Sequence, residues 1–274
     1  MRVFLPAYHL LAYHLSFLLF GMLGLALNLA CLGFGWLPAT ARTERFFQRV
    51  IHRHCAFWLR WLSWARLVRF RFDGFEALPR HRGLVLAANH PGLMDATYLL
   101  ARLPEAVFLF KPAIRRNPVL GAAARRAGYL ASDGGHDALR AAAEKVAAGH
   151  TLVVFPEGTR SREGVLQPFK PGFILVARRA GAPIQLVRIT CDSRLLVKGR
   201  AWWKMPRLRA HITIALGPCL PPPPPPLDEK TETILAGIEA WFRAGADAAP
   251  RAFAAPPPAA VATAASAPRG QTAS

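Results

Sequence analysis

The chain has 274 residues, a formal net charge of +19 and 53% hydrophobic residues. Such a charge favours an anionic partner, and the mixing of basic with aromatic residues favours a membrane surface over nucleic acid. The four cysteines are scattered without a Cys-x-x-Cys pair, which argues against a zinc site or a disulfide scaffold. We therefore expect membrane lipids as a partner, and no metal, cofactor or nucleic acid.

The first predicted element is a membrane-inserted segment within residues 1–40. Residues 15–37 are almost wholly apolar and carry no formally charged side chain. As a helix this stretch is about 30–35 Å long, enough to cross a bilayer. Several arginines follow it and only Arg2 precedes it, which predicts an inner-membrane protein with its body in the cytoplasm. A re-entrant insertion and a cleaved signal peptide are the alternatives.

A basic and aromatic stretch follows at residues 41–72. Arg45, Arg49 and Arg53 recur at helical spacing among phenylalanine and tryptophan, and Thr43 is a suitable helix cap. The pattern predicts an amphipathic helix lying in the headgroup plane of a membrane. A core-packing helix with a solvated basic face is the alternative.

Short apolar runs then alternate with helical patterns over residues 73–220, which predicts an α/β domain. Residues 70–78 are predicted to form the first strand and turn, further strands are predicted at 83–88, 106–110, 151–155, 184–190 and 211–216, and helices at 94–101, 136–150 and 173–180. Residues 221–244 are predicted to be a polyproline spacer and a short helix at 231–242, and residues 245–274 a disordered Ala/Pro-rich tail.

The strand predicted at 83–88 leads into Asn89-His90-Pro91-Gly92-Leu93-Met94-Asp95. The Pro-Gly pair breaks the strand, and Asp95 falls in the first turn of the next helix. Across such a strand–turn–helix corner His90 and Asp95 can converge, whereas on one helix they would diverge. An imidazole oriented by a carboxylate can take a proton from a hydroxyl group, so the pair is a candidate general-base dyad. A capped helix beside a surface histidine is the alternative.

The strand predicted at 151–155 leads into Pro156-Glu157-Gly158-Thr159-Arg160-Ser161-Arg162. This corner combines an acid, two hydroxyl groups and two guanidinium groups, and guanidinium groups bind phosphate bidentately. Backbone amides at such a corner can contribute to an anion site. We expect an anionic group to bind here; a strand–loop corner with solvated charges is the alternative.

The two corners together resemble motifs of the glycerolipid acyltransferases, specifically the 1-acylglycerol-3-phosphate O-acyltransferase branch. The spacing His90-x4-Asp95 resembles the first motif, and Phe155 to Ser161 resembles the third. Looser similarities to the second and fourth motifs lie at Phe110-Lys111-Pro112, Asn117 to Gly121, and Gly181 to Ile184. The resemblance covers about residues 75–217.

This resemblance implies a mixed sheet flanked by helices, and transfer of a fatty acyl chain from acyl-CoA or acyl carrier protein to a lysophospholipid. The default acceptor is the hydroxyl of 1-acylglycerol-3-phosphate. His90 is then the general base and Asp95 its orienting carboxylate, and no catalytic serine is needed because the acceptor hydroxyl is the nucleophile. The resemblance assigns substrate binding to Lys111, Glu157, Gly158, Thr159 and Arg160.

Two departures from the family pattern leave the acceptor open. Residues 129–133 lack the arginine that usually follows the second motif, and Gln185 stands where a second proline usually follows the fourth. Another lyso-lipid, such as a lyso-amino-acid lipid or a pigment-type lipid alcohol, is therefore an alternative acceptor. A non-catalytic basic membrane-binding protein is the remaining alternative, but it leaves both corners unexplained.

Overall fold

The computed structural model describes residues 4–78, 83–161, 165–193, 195–201, 203–204, 209–224 and 228–244. Seven strands of these parts form one sheet in the order β1-β7-β6-β2-β5-β3-β4. They are β1 (Val68–Asp73), β2 (Leu84–Ala88), β3 (Ala106–Phe110), β4 (Leu130–Ala131), β5 (Thr151–Val154), β6 (Ile184–Cys191) and β7 (Ala210–Leu220). Only the β6–β7 pair is antiparallel, so β1 and β7 run against the other five strands. The predicted α/β class with a mixed sheet is confirmed.

Helices cover both faces of the sheet. They are α1 (Phe4–Gly33), α2 (Ala41–Trp64), α3 (Asp95–Leu100), α4 (Gly121–Arg126), α5 (Gly135–Ala147), α6 (Gly172–Ala180) and α7 (Asp228–Arg243). Helices α1 to α4 contribute to the core on one face, and α5 to α7 to the core on the other. Because β2 lies between two cores, all five of its residues are buried, as its unbroken apolar run predicted.

Most predicted strand ends are correct to within one residue, and β7 is the exception. It extends to Leu220, four residues past the predicted end, because Ile184 at the start of β6 pairs with it there. The predicted terminal helix is also present, as α7. The spacer prediction is described only at residues 221–224, which lie outside any helix or strand, and the predicted tail at 245–274 lies outside the described residues.

Helix α2 is shorter than predicted. It ends at Trp64, Arg66 takes a left-handed φ of 54°, and β1 begins at Val68. The prediction of one helix through residue 72 is therefore wrong. Residues 68–73 instead pair in parallel with β7, which supplies the backbone partners that a strand requires.

The apolar stripe of α2 faces the protein. Its buried apolar members are Phe47, Ile51, Cys55, Trp58, Leu59 and Leu62. The regular spacing thus reflects packing against the core, which was the alternative interpretation of this stretch. The outer face of α2 still combines exposed aromatic residues with exposed arginines, namely Phe46, Phe57, Trp64, Arg42, Arg53 and Arg60.

Helix α1 begins earlier and ends earlier than the predicted apolar stretch, and one of its faces packs on the domain. The indole N–H of Trp58 donates to the carbonyl of Ser16 at 3.0 Å. The side-chain oxygen of Asn28 accepts the backbone N–H groups of Ala122 and Ala123 at 2.6 and 3.2 Å. Asn28, the chief polar interruption of the apolar stretch, therefore caps the first turn of α4.

The opposite face of α1 exposes a row of large apolar side chains. They include Leu11, Leu15, Leu18, Met22, Leu29 and Leu32. Residues 7–33 are long and apolar enough to cross a membrane, with a mean hydropathy of 2.2, and only 22% of the most apolar window is buried. Because soluble proteins rarely expose so large an apolar surface, this face indicates association with a membrane.

Candidate active site

The predicted convergence of His90 and Asp95 is present in the structure. His90 follows β2, Asp95 begins α3, and the imidazole Nδ1 lies 2.8 Å from the Asp95 Oδ2. The backbone N–H of Gly92 donates to the same oxygen at 2.7 Å. The Asp95 side chain is 2% exposed and the His90 side chain 18% exposed. The turn thus buries the carboxylate beneath a partly accessible imidazole.

The surroundings of Asp95 determine which nitrogen of His90 can accept a proton. Burial raises the pKa of the Asp95 carboxyl above its ordinary value, while the hydrogen bonds from His90 and Gly92 favour the carboxylate. With this carboxylate as acceptor, a neutral imidazole carries its hydrogen on Nδ1 and its lone pair on Nε2. Among the described residues no hydrogen bond occupies Nε2, so this nitrogen can serve as a base.

Two further contacts fix the His90 corner. The imidazole stacks on the ring of Phe155 with centroids 4.1 Å apart and planes 17° from parallel. The Asn89 side chain donates to the Ile189 carbonyl at 2.9 Å and accepts the Ile189 N–H at 2.7 Å. This amide pairing joins the end of β2 to β6, so the imidazole is supported from both neighbouring strands.

Glu157 lies beneath the His90 backbone, and its side chain is buried. Its carboxylate accepts the N–H of His90 at 2.9 Å, the N–H of Gln167 at 2.9 Å and the hydroxyl of Ser161 at 2.9–3.0 Å. In return the Ser161 N–H donates to the His90 carbonyl at 2.8 Å. These contacts of Glu157 lie within the protein and position the His90 corner. That Glu157 also binds substrate stays a prediction.

Thr159 and Arg160 lie against the segment that follows β6. The Lys198 ammonium donates to the Thr159 hydroxyl at 2.8 Å, and an Arg160 nitrogen lies 3.5 Å from the Leu196 carbonyl. The same carbonyl accepts the Leu93 N–H at 3.0 Å. This segment thus connects the two corners and brings a second cation, Lys198, beside Arg160. Sequence reasoning missed Lys198 because no pattern around it distinguishes it from a solvated lysine.

Two cavities flank the dyad. One has a volume of about 410 Å³ and is lined in part by Asn89, Asp95 and Ser161. The other, of about 560 Å³, lies between α5 and α6 and is lined in part by Lys111 and Gly158. Two of the predicted substrate-binding residues, Lys111 and Gly158, therefore line a cavity. Neither has a described hydrogen bond to His90 or Asp95.

Comparison with known proteins identifies the domain that carries these corners. Residues 69–190 match the model of the Acyltransferase family. A chloroplastic 1-acyl-sn-glycerol-3-phosphate acyltransferase of Brassica napus is 29% identical over 147 residues, which are 50% of this chain and 43% of the relative. A lyso-ornithine lipid O-acyltransferase of Pseudomonas aeruginosa is 31% identical over 172 residues, 60% of this chain and 65% of the relative.

The fold has a solved counterpart. The crystal structure of the 1-acyl-sn-glycerophosphate acyltransferase PlsC of Thermotoga maritima matches 90% of this chain and 100% of its own with a TM-score of 0.64. At 20% identity this likeness concerns the fold alone. The chain spans 43% of the length of the Brassica napus relative and 38% of that of a chloroplastic 1-acyl-sn-glycerol-3-phosphate acyltransferase of Arabidopsis thaliana. The domain at residues 69–190 thus matches the Acyltransferase family model, and through it the chain is similar to glycerolipid acyltransferases.

Proposed function

We propose that this protein transfers a fatty acyl chain from acyl-CoA or acyl carrier protein to the hydroxyl of a lysophospholipid. The observation that carries the proposal is the buried Asp95 carboxylate on Nδ1 of His90, which leaves Nε2 as a proton acceptor. The first candidate acceptor is 1-acylglycerol-3-phosphate, on which the Brassica napus relative is named to act.

In the proposed reaction Nε2 of His90 removes the proton from the acceptor hydroxyl as its oxygen attacks the thioester carbonyl carbon. The tetrahedral intermediate then collapses, the carbon–sulfur bond breaks, and the imidazolium returns its proton to the departing thiolate. Asp95 stabilises the transient imidazolium without taking its proton. The products are an ester and a free thiol.

Arg160 and Lys198 are proposed to hold the anionic headgroup of the acceptor. Lys198 lies on the segment that joins the two corners, Arg160 lies against that segment, and Arg160 presents the planar guanidinium group that suits phosphate.

A lyso-ornithine lipid is the second candidate acceptor. The relative named for this acceptor matches 60% of the chain, more than the Brassica napus relative does. The absence of the usual arginine from residues 129–133 also favours an acceptor without the usual phosphate.

The experiment that tests the function offers the purified full-length protein radiolabelled acyl-CoA or acyl carrier protein with a panel of lyso-lipids. We expect an acylated product with at least one acceptor, and the acceptor with the highest kcat/KM decides between the two candidates. Membrane binding without any acyl transfer, with or without His90, would contradict the proposal and favour the non-catalytic alternative.

The proposal places the protein in the inner membrane with its catalytic domain facing the cytoplasm. Exposed arginines and aromatic residues on α2 and the apolar face of α1 support attachment to an anionic leaflet. The exposed Cys219 allows a direct test. A membrane-impermeant maleimide should label Cys219 in permeabilised spheroplasts but not in intact ones, with Cys219→Ser as control. Labelling in intact spheroplasts would contradict the orientation.

A further inference from the structure

The cavity between α5 and α6 has an apolar floor and a cationic rim. Leu109, Leu152, Val154, Phe173 and Val176 contribute to the floor. Lys111, Lys170 and His136 stand at the rim, and among the described residues that line the cavity none is acidic. The first residues of α5 and α6 also line it, and neither helix has a side-chain cap in its first turn. The rim therefore suits an anionic group attached to a partly apolar body.

Lys170 stands out because it lies over the Glu157 corner. A Cβ atom added to Gly158 would lie 3.3 Å from the Lys170 ammonium nitrogen, and Gly158 has a left-handed φ of 63°. The absence of a side chain at Gly158 thus makes room for this lysine. Phe155, whose ring supports the His90 imidazole, also lines the cavity. A ligand that reaches past Phe155 would bring its end to the dyad.

The position of this cavity in the fold indicates which of the two substrates, the lipid acceptor or the thioester donor, it binds. It lies on the sheet face covered by α5 and α6, whereas the apolar surface of α1 belongs to the opposite face. A lipid acceptor resides in the membrane, but a thioester carrier arrives from water. A cationic cavity on the face away from the membrane helices therefore suits the carrier.

On the basis of the proposed function, we propose that this cavity binds the phosphopantetheine arm of the thioester donor, with Lys170 as the main cation for its phosphate. Coenzyme A and acyl carrier protein both carry this phosphate-bearing arm. The alkyl part of the arm would lie on the apolar floor, and its thioester end would lie past Phe155, beside His90. The acceptor would reach the dyad from the other side.

The test measures binding to the full-length protein in nanodiscs by isothermal titration calorimetry, which needs no turnover. The probes are 4′-phosphopantetheine, pantetheine without the phosphate, coenzyme A and holo-acyl carrier protein. A lost charge-assisted hydrogen bond corresponds to about a tenfold loss of affinity. We therefore expect Lys170→Gln to weaken 4′-phosphopantetheine about tenfold and pantetheine hardly at all. The last two probes show which carrier the cavity accepts.

Matched variants separate a local effect from a general loss of charge. Arg179→Gln removes a cation from an exposed position of α6 and should leave all four affinities unchanged. Lys170→Arg should retain most of the binding. In kinetic assays Lys170→Gln should raise the donor KM about tenfold without changing the acceptor KM.

Two results would overturn the donor site. One is equal binding of 4′-phosphopantetheine and pantetheine to the unmodified protein, and the other is a rise in the acceptor KM alone upon Lys170→Gln. Neither would affect the proposed acyl transfer. Conversely, if no donor and acceptor pair reacts, the proposed function fails, while the binding measurements still report on the cavity.

Discussion

The corners after β2 and β5 follow neighbouring parallel strands, yet their acidic residues, Asp95 and Glu157, contact different parts of His90. After β2, Asp95 accepts a hydrogen bond from the imidazole ring of His90. After β5, Glu157 accepts one from the backbone N–H of the same residue. Both residues are buried, with 1% of Asp95 and 3% of Glu157 exposed. One acid thus orients the imidazole ring of His90, and the other fixes the main chain that carries this ring.

The two acids therefore affect different properties of His90: Asp95 its tautomer and charge, and Glu157 the position of its backbone. In the proposed reaction, loss of the Asp95 carboxylate removes the group that selects the tautomer and stabilises the imidazolium. Loss of the Glu157 carboxylate instead leaves two backbone N–H groups and a hydroxyl without their acceptor. The first change should act on the chemical step, and the second on the stability and geometry of the corner.

The largest effect is expected from His90→Ala, which removes the base itself. Acyl transfer should fall by about 10²–10⁴-fold in kcat, with an unchanged circular dichroism spectrum. The chain offers a matched control, because His211 forms an exposed pair with Asp192 at 2.6 Å. His211→Ala should leave kcat unchanged. Near-normal turnover by a folded His90→Ala protein would contradict the assignment of the base.

Asp95→Asn should have the next largest effect, because an asparagine cannot stabilise an imidazolium. We expect kcat to fall by about 10²-fold or more, as in a His–Asp pair of a hydrolase. Asp192→Asn in the exposed pair is the control and should retain full activity. A decrease confined to the melting temperature would instead make Asp95 merely structural.

Glu157→Gln should lower kcat less, by about tenfold, and should lower stability. A glutamine retains one acceptor oxygen but turns an N–H₂ group toward donors, which costs about 1–3 kcal/mol in a buried site. Thermal unfolding and kcat should therefore change together, and the pH dependence of kcat should keep its shape. A large loss of kcat at unchanged stability would show that Glu157 takes part in the chemistry.

Arg160→Ala tests the proposed headgroup-binding residue of the corner after β5. It should have the smallest effect on turnover. We expect the acceptor KM to rise about tenfold, the donor KM to stay constant, and Arg160→Lys to restore binding only in part. Steady-state kinetics with each substrate varied in turn provides the measurement. A rise in the donor KM alone would move Arg160 to the thioester side.

Much of the central sheet could be predicted because its strands are short apolar runs that end in Pro/Gly corners. The β1 strand is predicted only in part: residues 70–78 are expected to form a strand and turn, but residues 41–72 are also assigned to one helix, although Arg69, Phe70, Arg71 and Phe72 alternate as in a strand. In the structure the two arginines are exposed and the two phenylalanines half-buried. The helix prediction extends over this period of two because basic and aromatic residues also characterise interfacial helices.

The dyad could be predicted because its two residues are close in sequence, but the role of Glu157 could not. That role depends on the adjacency of β2 and β5, which are separated by β3, β4 and 62 residues of chain between Ala88 and Thr151. A motif specifies that an acid is present but not which way its side chain points. Lys170 and Lys198 were missed as site residues for the same reason, since only the fold brings them to the corners.

Whether Nε2 of His90 is the proton acceptor is tested most directly by the tautomer of its ring. Full-length protein with ¹⁵N-labelled histidine, in detergent micelles at a pH where the imidazole is neutral, gives nitrogen chemical shifts that distinguish the two tautomers; His90→Gln identifies the resonances. We predict hydrogen on Nδ1 and a bare Nε2, with this preference lost in Asp95→Asn and retained in Glu157→Gln. Hydrogen on Nε2 in the unmodified protein, or a tautomer indifferent to Asp95→Asn, would contradict the dyad.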